Sequence, residues 1–303
     1  MTKLFACGTA LVLLASTGAG LAEPAHFDTP DAAVAAVVAA LDASDQTAAL
    51  KVFGPENKDL LTTDDPVGDK LVWAEFLANA KILTDIELAD PDHATLYTGN
   101  DRFPFPVPLV RKDGSWSFDA AAGREEIHMR RIGLDELAVI DIMHRIGPVQ
   151  EAFRQEDHDG DGVREFASVI LSTPGKRDGL YWPDEAGTEH SPLGDFVARA
   201  NASGYNFDGK DHAPDPYVGY YFRILQAQGP AAPGGAYSYM IGGNMVAGFA
   251  LLAYPADYGE TGIMTFMVSE NGVVYQADLG KATLATAAKI EKFNPTKEWS
   301  PVK

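Results

Sequence analysis

Asp157, Asp159 and Asp161 alternate along the stretch Asp157-His158-Asp159-Gly160-Asp161-Gly162-Val163-Arg164-Glu165-Phe166, with two glycines among them and Glu165 close behind. Alternating carboxylates aim at one centre if the backbone curls, and glycine permits the curl because it reaches positive φ without a Cβ clash. A hard cation such as calcium takes about six to eight oxygens from a loop of this kind. The EF-hand pattern asks for Asp at positions 1, 3 and 5, Gly at 6 and a bidentate Glu at 12. Asp157, Asp159, Asp161 and Gly162 meet the first four requirements. Glu165 falls at position 9, where a ligand often acts through water. Position 12 is Ser168, so the bidentate carboxylate is missing. The candidate metal ligands are therefore Asp157, Asp159, Asp161 and Glu165, and the candidate ion is calcium. The same residues also suit a plain acidic turn between a helix and a strand.

Other reactive side chains are scattered. His26, His93, His128, His144, His158, His190 and His212 include no pair with the His-Glu-x-x-His spacing of a helical zinc site. His190-Ser191 and Asp211-His212 could form a nucleophile and base only if the fold brought them together. There is no Gly-x-Ser-x-Gly elbow to support that chemistry. Gly175-Lys176-Arg177-Asp178 lacks the spacing of a phosphate-cradling loop, and its two cations suit the anchoring of a nearby carboxylate. Tyr181, Trp182, Tyr217, Tyr220, Tyr221 and Phe222 suit a ligand groove or packing beneath long loops. Gly229 to Gly235 suits a binding loop or a rigid connection.

Positioning any of these residues takes a fold, and the composition supports one. Apolar residues make up 46% of the chain, enough for a substantial core. The net charge of −19 repels polyanions, which argues against a nucleic-acid partner. Lys3, the apolar run Leu4 to Ala15 and Gly20-Leu21-Ala22 read as a secretory signal peptide over residues 1–22, cleaved after Ala22. Cys7 lies inside that segment, so the mature chain has no thiol for disulfide, zinc or nucleophile chemistry. No later apolar run is long enough to span a bilayer, so the expected location is periplasmic or secreted.

Thr29-Pro30-Asp31 reads as a helix start, followed by an Ala/Val helix to Leu41. A second helix is expected over Gln46 to Phe53, with Gly54 at its end. A third carries Val67, Leu71, Val72, Phe76, Leu77 and Ala80 at helical spacing. Thr84 to Glu87 and Thr95 to Tyr97 read as short strands. Phe105 to Val110 and Ser115 to Phe118 flank the turn Lys112-Asp113-Gly114 as a hairpin. Helices followed by a curled antiparallel sheet is an α+β pattern.

Leu134 to Phe153 is a second long helical signal, with a break or kink expected at Gly147-Pro148. Ten of the eleven tyrosines lie at or beyond Tyr181, so the two halves differ in material. Ala236 to Ile241 and Met245 to Tyr254 flank Gly242-Gly243-Asn244, while Gly262 to Val268 and Val273 to Asp278 flank Glu270-Asn271-Gly272. A four-stranded antiparallel meander with the helix on one face is expected. The basic-then-Gly stretch Arg131-Ile132-Gly133 divides the mature chain into domains 23–132 and 133–303.

Several stretches together resemble the bacterial family called domain of unknown function 2950. They are Thr98-Gly99-Asn100-Asp101 with Phe103 to Val110, Arg130 to Gly133 before Asp135-Glu136-Leu137, and the Asp157 loop. Ser172 to Trp182, Tyr221 to Leu225 and Gly229 to Tyr237 complete the likeness. The resemblance implies an exported bacterial protein and carries no catalytic residues. Residues 28 to 131 resemble a nuclear-transport-factor-2-like cup, with helices against a curved sheet. Residues from 134 onward resemble pilin and pseudopilin globular domains, in which a helix precedes an antiparallel meander and some loops hold calcium. The whole domain ahead of the helix departs from an ordinary pilus subunit.

Three readings follow. The first is an exported, non-catalytic binding or assembly module, steadied by calcium, with a protein or small-molecule partner. The second is a small-ligand binder using the first domain's cup. The third is an uncharacterised hydrolase. The absence of a catalytic constellation in the sequence favours the first.

Overall fold

The computed structural model describes residues 24–62, 66–182, 190–194 and 216–303. It is an α+β structure, helices with mainly antiparallel sheets. The chain forms two compact units, one ending at Ile127 and the other running from His128 to Lys303.

In the first unit, Thr29 caps α1 (Pro30–Asp42) by accepting the Ala32 amide at 3.1 Å, with Pro30 at the first helical position. Asp45 caps α2 (Gln46–Phe53) in the same way, and Gly54 ends it at φ 95°. In α3 (Pro66–Ile82) the packed residues are Trp73 and Phe76. Leu71 and Val72, expected on the apolar stripe, are exposed. Position in the helix therefore overrides their hydrophobicity.

The sheet that follows contains β1 (Thr84–Asp90), β2 (His93–Thr98), β3 (Phe103–Pro104), β4 (Leu109–Lys112) and β5 (Ser115–Phe118). Its order is β1-β2-β4-β5, with β3 pairing β2. Asp113 and Gly114 turn the β4–β5 hairpin at φ 51° and 82°, the two positive values a tight two-residue connection needs. Phe105 to Pro108 stays outside the strand, because alternate prolines cannot donate to a ladder. Alternation along β2 turns Ala94 and Leu96 toward the core, where they join Val37, Phe53, Leu109 and Phe118.

Helix α4 is longer than its sequence signal. It runs Ala120–Phe153, and Asp119 Oδ1 caps it by accepting the Ala121 and Ala122 amides. Arg131, Ile132 and Gly133, expected as a junction between hydrophobic segments, lie inside it. Of the break or kink expected at Gly147-Pro148, the break does not occur, and Pro148 is carried within the helix. Burial on either side, by Met143 and Ile146 before and Gln150 and Phe153 after, outweighs the missing amide hydrogen bond.

The second unit begins its strands with the parallel pair β6 (Val169–Leu171) and β7 (Gly179–Tyr181). Its main sheet contains β8 (Tyr220–Leu225). Two short pairs follow, β9 (Ala227–Gln228) with β10 (Tyr237–Ser238) and β11 (Met240–Ile241) with β12 (Asn244–Met245). Then come β13 (Ala250–Pro255), β14 (Met264–Ser269), β15 (Tyr275–Asp278), the short helix α5 (Thr283–Ala287) and β16 (Ser300–Pro301). The main sheet has the antiparallel order β16-β15-β14-β13-β8.

Three strands of the expected meander are thus present, and the first is not. Residues 236–241 pair away from the main sheet, and β8 takes that place. Gly248, at φ 127° and with its missing Cβ 3.1 Å from the Tyr239 ring, separates β12 from β13 where the sequence suggests one strand. Val139, Met143 and Ile146 of α4 share one core with Leu252, Phe266, Val268 and Ala287.

Candidate functional site

The acidic loop lies within the second unit, between α4 and the residues that lead to β6. Gln150 holds its ends together. The fully buried side-chain amide donates to the Ala167 carbonyl at 3.1 Å and accepts the Ala167 amide at 2.9 Å. Two buried anchors flank the loop, Phe153 at the helix end and Phe166 beyond the last carboxylate.

Gly160 and Gly162 take φ of 78° and 90°, and the chain curls around Asp157. Asp157 Oδ1 accepts the Gly160 amide and Oδ2 the Gly162 amide, each at 2.8 Å. Asp159 accepts the Asp161 amide at 3.2 Å, and Asp161 accepts the Val163 amide at 2.7 Å. The curl brings one carboxylate oxygen from each of Asp157, Asp159 and Asp161 within 4.8 Å of one another, all three residues being exposed.

His158 turns the other way. Its ring stacks on Phe153 at 4.2 Å, lies 5.4 Å from Trp182, and bonds the Phe153 carbonyl through Nε2 at 2.8 Å. The histidine between the first two aspartates therefore anchors the loop and leaves both neighbours facing outward.

Glu165 lies outside the three-carboxylate group. Its Oε2 accepts the Met245 amide at 2.7 Å, and Asn244 Nδ2 donates to Asp161 Oδ2 at 2.5 Å. The Phe166 amide donates to the Met245 carbonyl at 2.8 Å. The loop is thus knitted to the β11–β12 hairpin some eighty residues later, a link with no trace in local spacing.

The electrostatics of the two ends differ. The Gly162 amide, assisted by Gly160, holds the Asp157 carboxyl below the ordinary range. Burial pushes Glu165 upward, and the charges of Asp159, Asp161 and Asp157 add to that, while the Met245 amide opposes it. Asp157 therefore contributes stability that is present above its unfolded value of about 3.9 and is lost as pH falls through its folded value. Glu165 works in the opposite sense. Its contribution is full below about 4.3 and is lost as pH rises through its folded value. In calcium-free solution, carboxyl-carbon NMR is expected to show Asp157 titrating at lower pH than Glu165. Glu165 titrating at or below Asp157 would refute this assignment of environments.

Asp178 accepts the Thr173 amide at 2.7 Å and the Thr173 hydroxyl at 2.8 Å, and the Arg177 guanidinium lies 5.3 Å from the centre of the Trp182 ring. Gln228 donates to the Pro233 and Gly235 carbonyls, both at 2.7 Å, so the Gly/Pro loop is a closed connection. His212 and Asp211 lie outside the described residues, while Ser191 is buried and His190 exposed. Tyr217, Tyr220, Tyr221 and Phe222 line an apolar groove of about 1240 Å³ between the second half of α4 and β8.

A residue that spacing did not single out is Glu136. Its Oε1 accepts the Ile263 and Met264 amides, both at 2.8 Å, and the Tyr220 hydroxyl at 3.4 Å. Gly262 is required beside it, since a Cβ there would stand 2.1 Å from the Tyr220 oxygen.

The family model described as a protein of unknown function (DUF2950) matches residues 25–302. Neither a curated protein nor a solved structure matches the chain.

Proposed function

The chain belongs to the DUF2950 family, and from that premise we propose an exported, non-catalytic binding or assembly module whose second unit is steadied by one calcium ion. The observation that carries this reading is the clustering of one carboxylate oxygen from each of Asp157, Asp159 and Asp161 within 4.8 Å of one another. Three like charges at that spacing repel, and a divalent cation turns the repulsion into attraction. Asp157, Asp159 and Asp161 would each offer an oxygen, joined by the Val163 carbonyl and by Glu165 directly or through water. Lacking the last bidentate carboxylate, the site belongs with the weaker extracellular class, at dissociation constants of about 0.1–1 mM.

Calorimetric titration of chelator-treated protein with calcium tests the reading. The wild type is expected to give saturable heat with one site in that range, and Asp159→Ala with Asp161→Ala is expected to give none. Equal heats from the two proteins would reduce the loop to an acidic turn.

Export is part of the same proposal. Among the described residues, no helix is long and apolar enough to cross a membrane. The signal-type pattern of residues 1–22 lies outside them. Intact-mass measurement of protein from its native host is expected to give a chain beginning at Glu23, with net charge −20 once Lys3 is removed from the −19 of the full sequence. A retained Met1, or lipid on Cys7, would overturn it.

A further inference from the structure

We draw no further inference here: the strongest candidate, the apolar groove of about 1240 Å³ between the second half of α4 and β8, carries nothing because no contact in the structure shows what covers it.

Discussion

At 10 mM, calcium is expected to raise the thermal midpoint of the wild-type second unit by about 3–11 °C. The arithmetic is mass action. A ligand that binds only the folded state adds about 2.7 kcal/mol at a hundredfold excess over its dissociation constant, and about 1.4 kcal/mol at tenfold. For a unit of this size each kcal/mol is worth about 2–4 °C. The transition is best followed by near-ultraviolet dichroism, because ten of the eleven tyrosines lie at or beyond Tyr181.

The control must remove charge without dismantling the loop. Asp159 and Asp161 each accept a backbone amide, of Asp161 and Val163 respectively. Asp159→Asn with Asp161→Asn retains an oxygen acceptor at each turn and deletes two charges. The calcium-dependent rise in this variant is expected to fall by more than half. A similar rise at 10 mM magnesium would identify a general screening effect, since magnesium demands a smaller, more rigid shell. Equal rises in the wild type and the Asn variant would end the calcium reading.

The largest effect of a single substitution outside the apolar core is expected at Glu136. Glu136→Ala leaves the Ile263 and Met264 amides without their acceptor at the start of β14. It also removes the carboxylate facing the Tyr220 hydroxyl. Burial, then that carboxylate, pushes the hydroxyl far above the ordinary phenol range, so it stays a neutral donor, to the Met264 carbonyl at 3.0 Å as well. Unsatisfied groups of this kind cost about 1–3 kcal/mol each, and partial rehydration of the half-buried site reduces the sum to about 2–4 kcal/mol. Denaturant unfolding should record that loss with an unchanged slope. Glu136→Gln retains the Oε1 acceptor and is expected to recover more than half of the stability. If Ala and Gln are equally destabilised, the charge and not the hydrogen bonding holds β14. A loss under about 0.5 kcal/mol for Ala would mean the contact is dispensable.

Much of the first unit was legible because its signals are local. Thr29-Pro30 starts a helix by capping and by pre-set φ, and Gly54 and Gly114 sit where positive φ is needed. The curl of the acidic loop was legible for the same reason, since Gly160 and Gly162 permit it and Asp157 bonds residues only three and five positions away. Longer-range matters were not. Whether 236–241 or Tyr220–Leu225 occupies the sheet edge beside β13 depends on which pairing buries more apolar surface, and both stretches have strand-like composition. The start of α4 was hidden because Ala120 to Gly133 has helical propensity with little apolar periodicity. In the loop, alternation alone put four acids near one another. The fold brought one oxygen from each of Asp157, Asp159 and Asp161 within 4.8 Å of the others and gave Glu165 the Met245 amide from a distant hairpin. Spacing along a chain sets which side chains can face together; only packing decides which partner reaches them first, because that partner arrives from another part of the sequence.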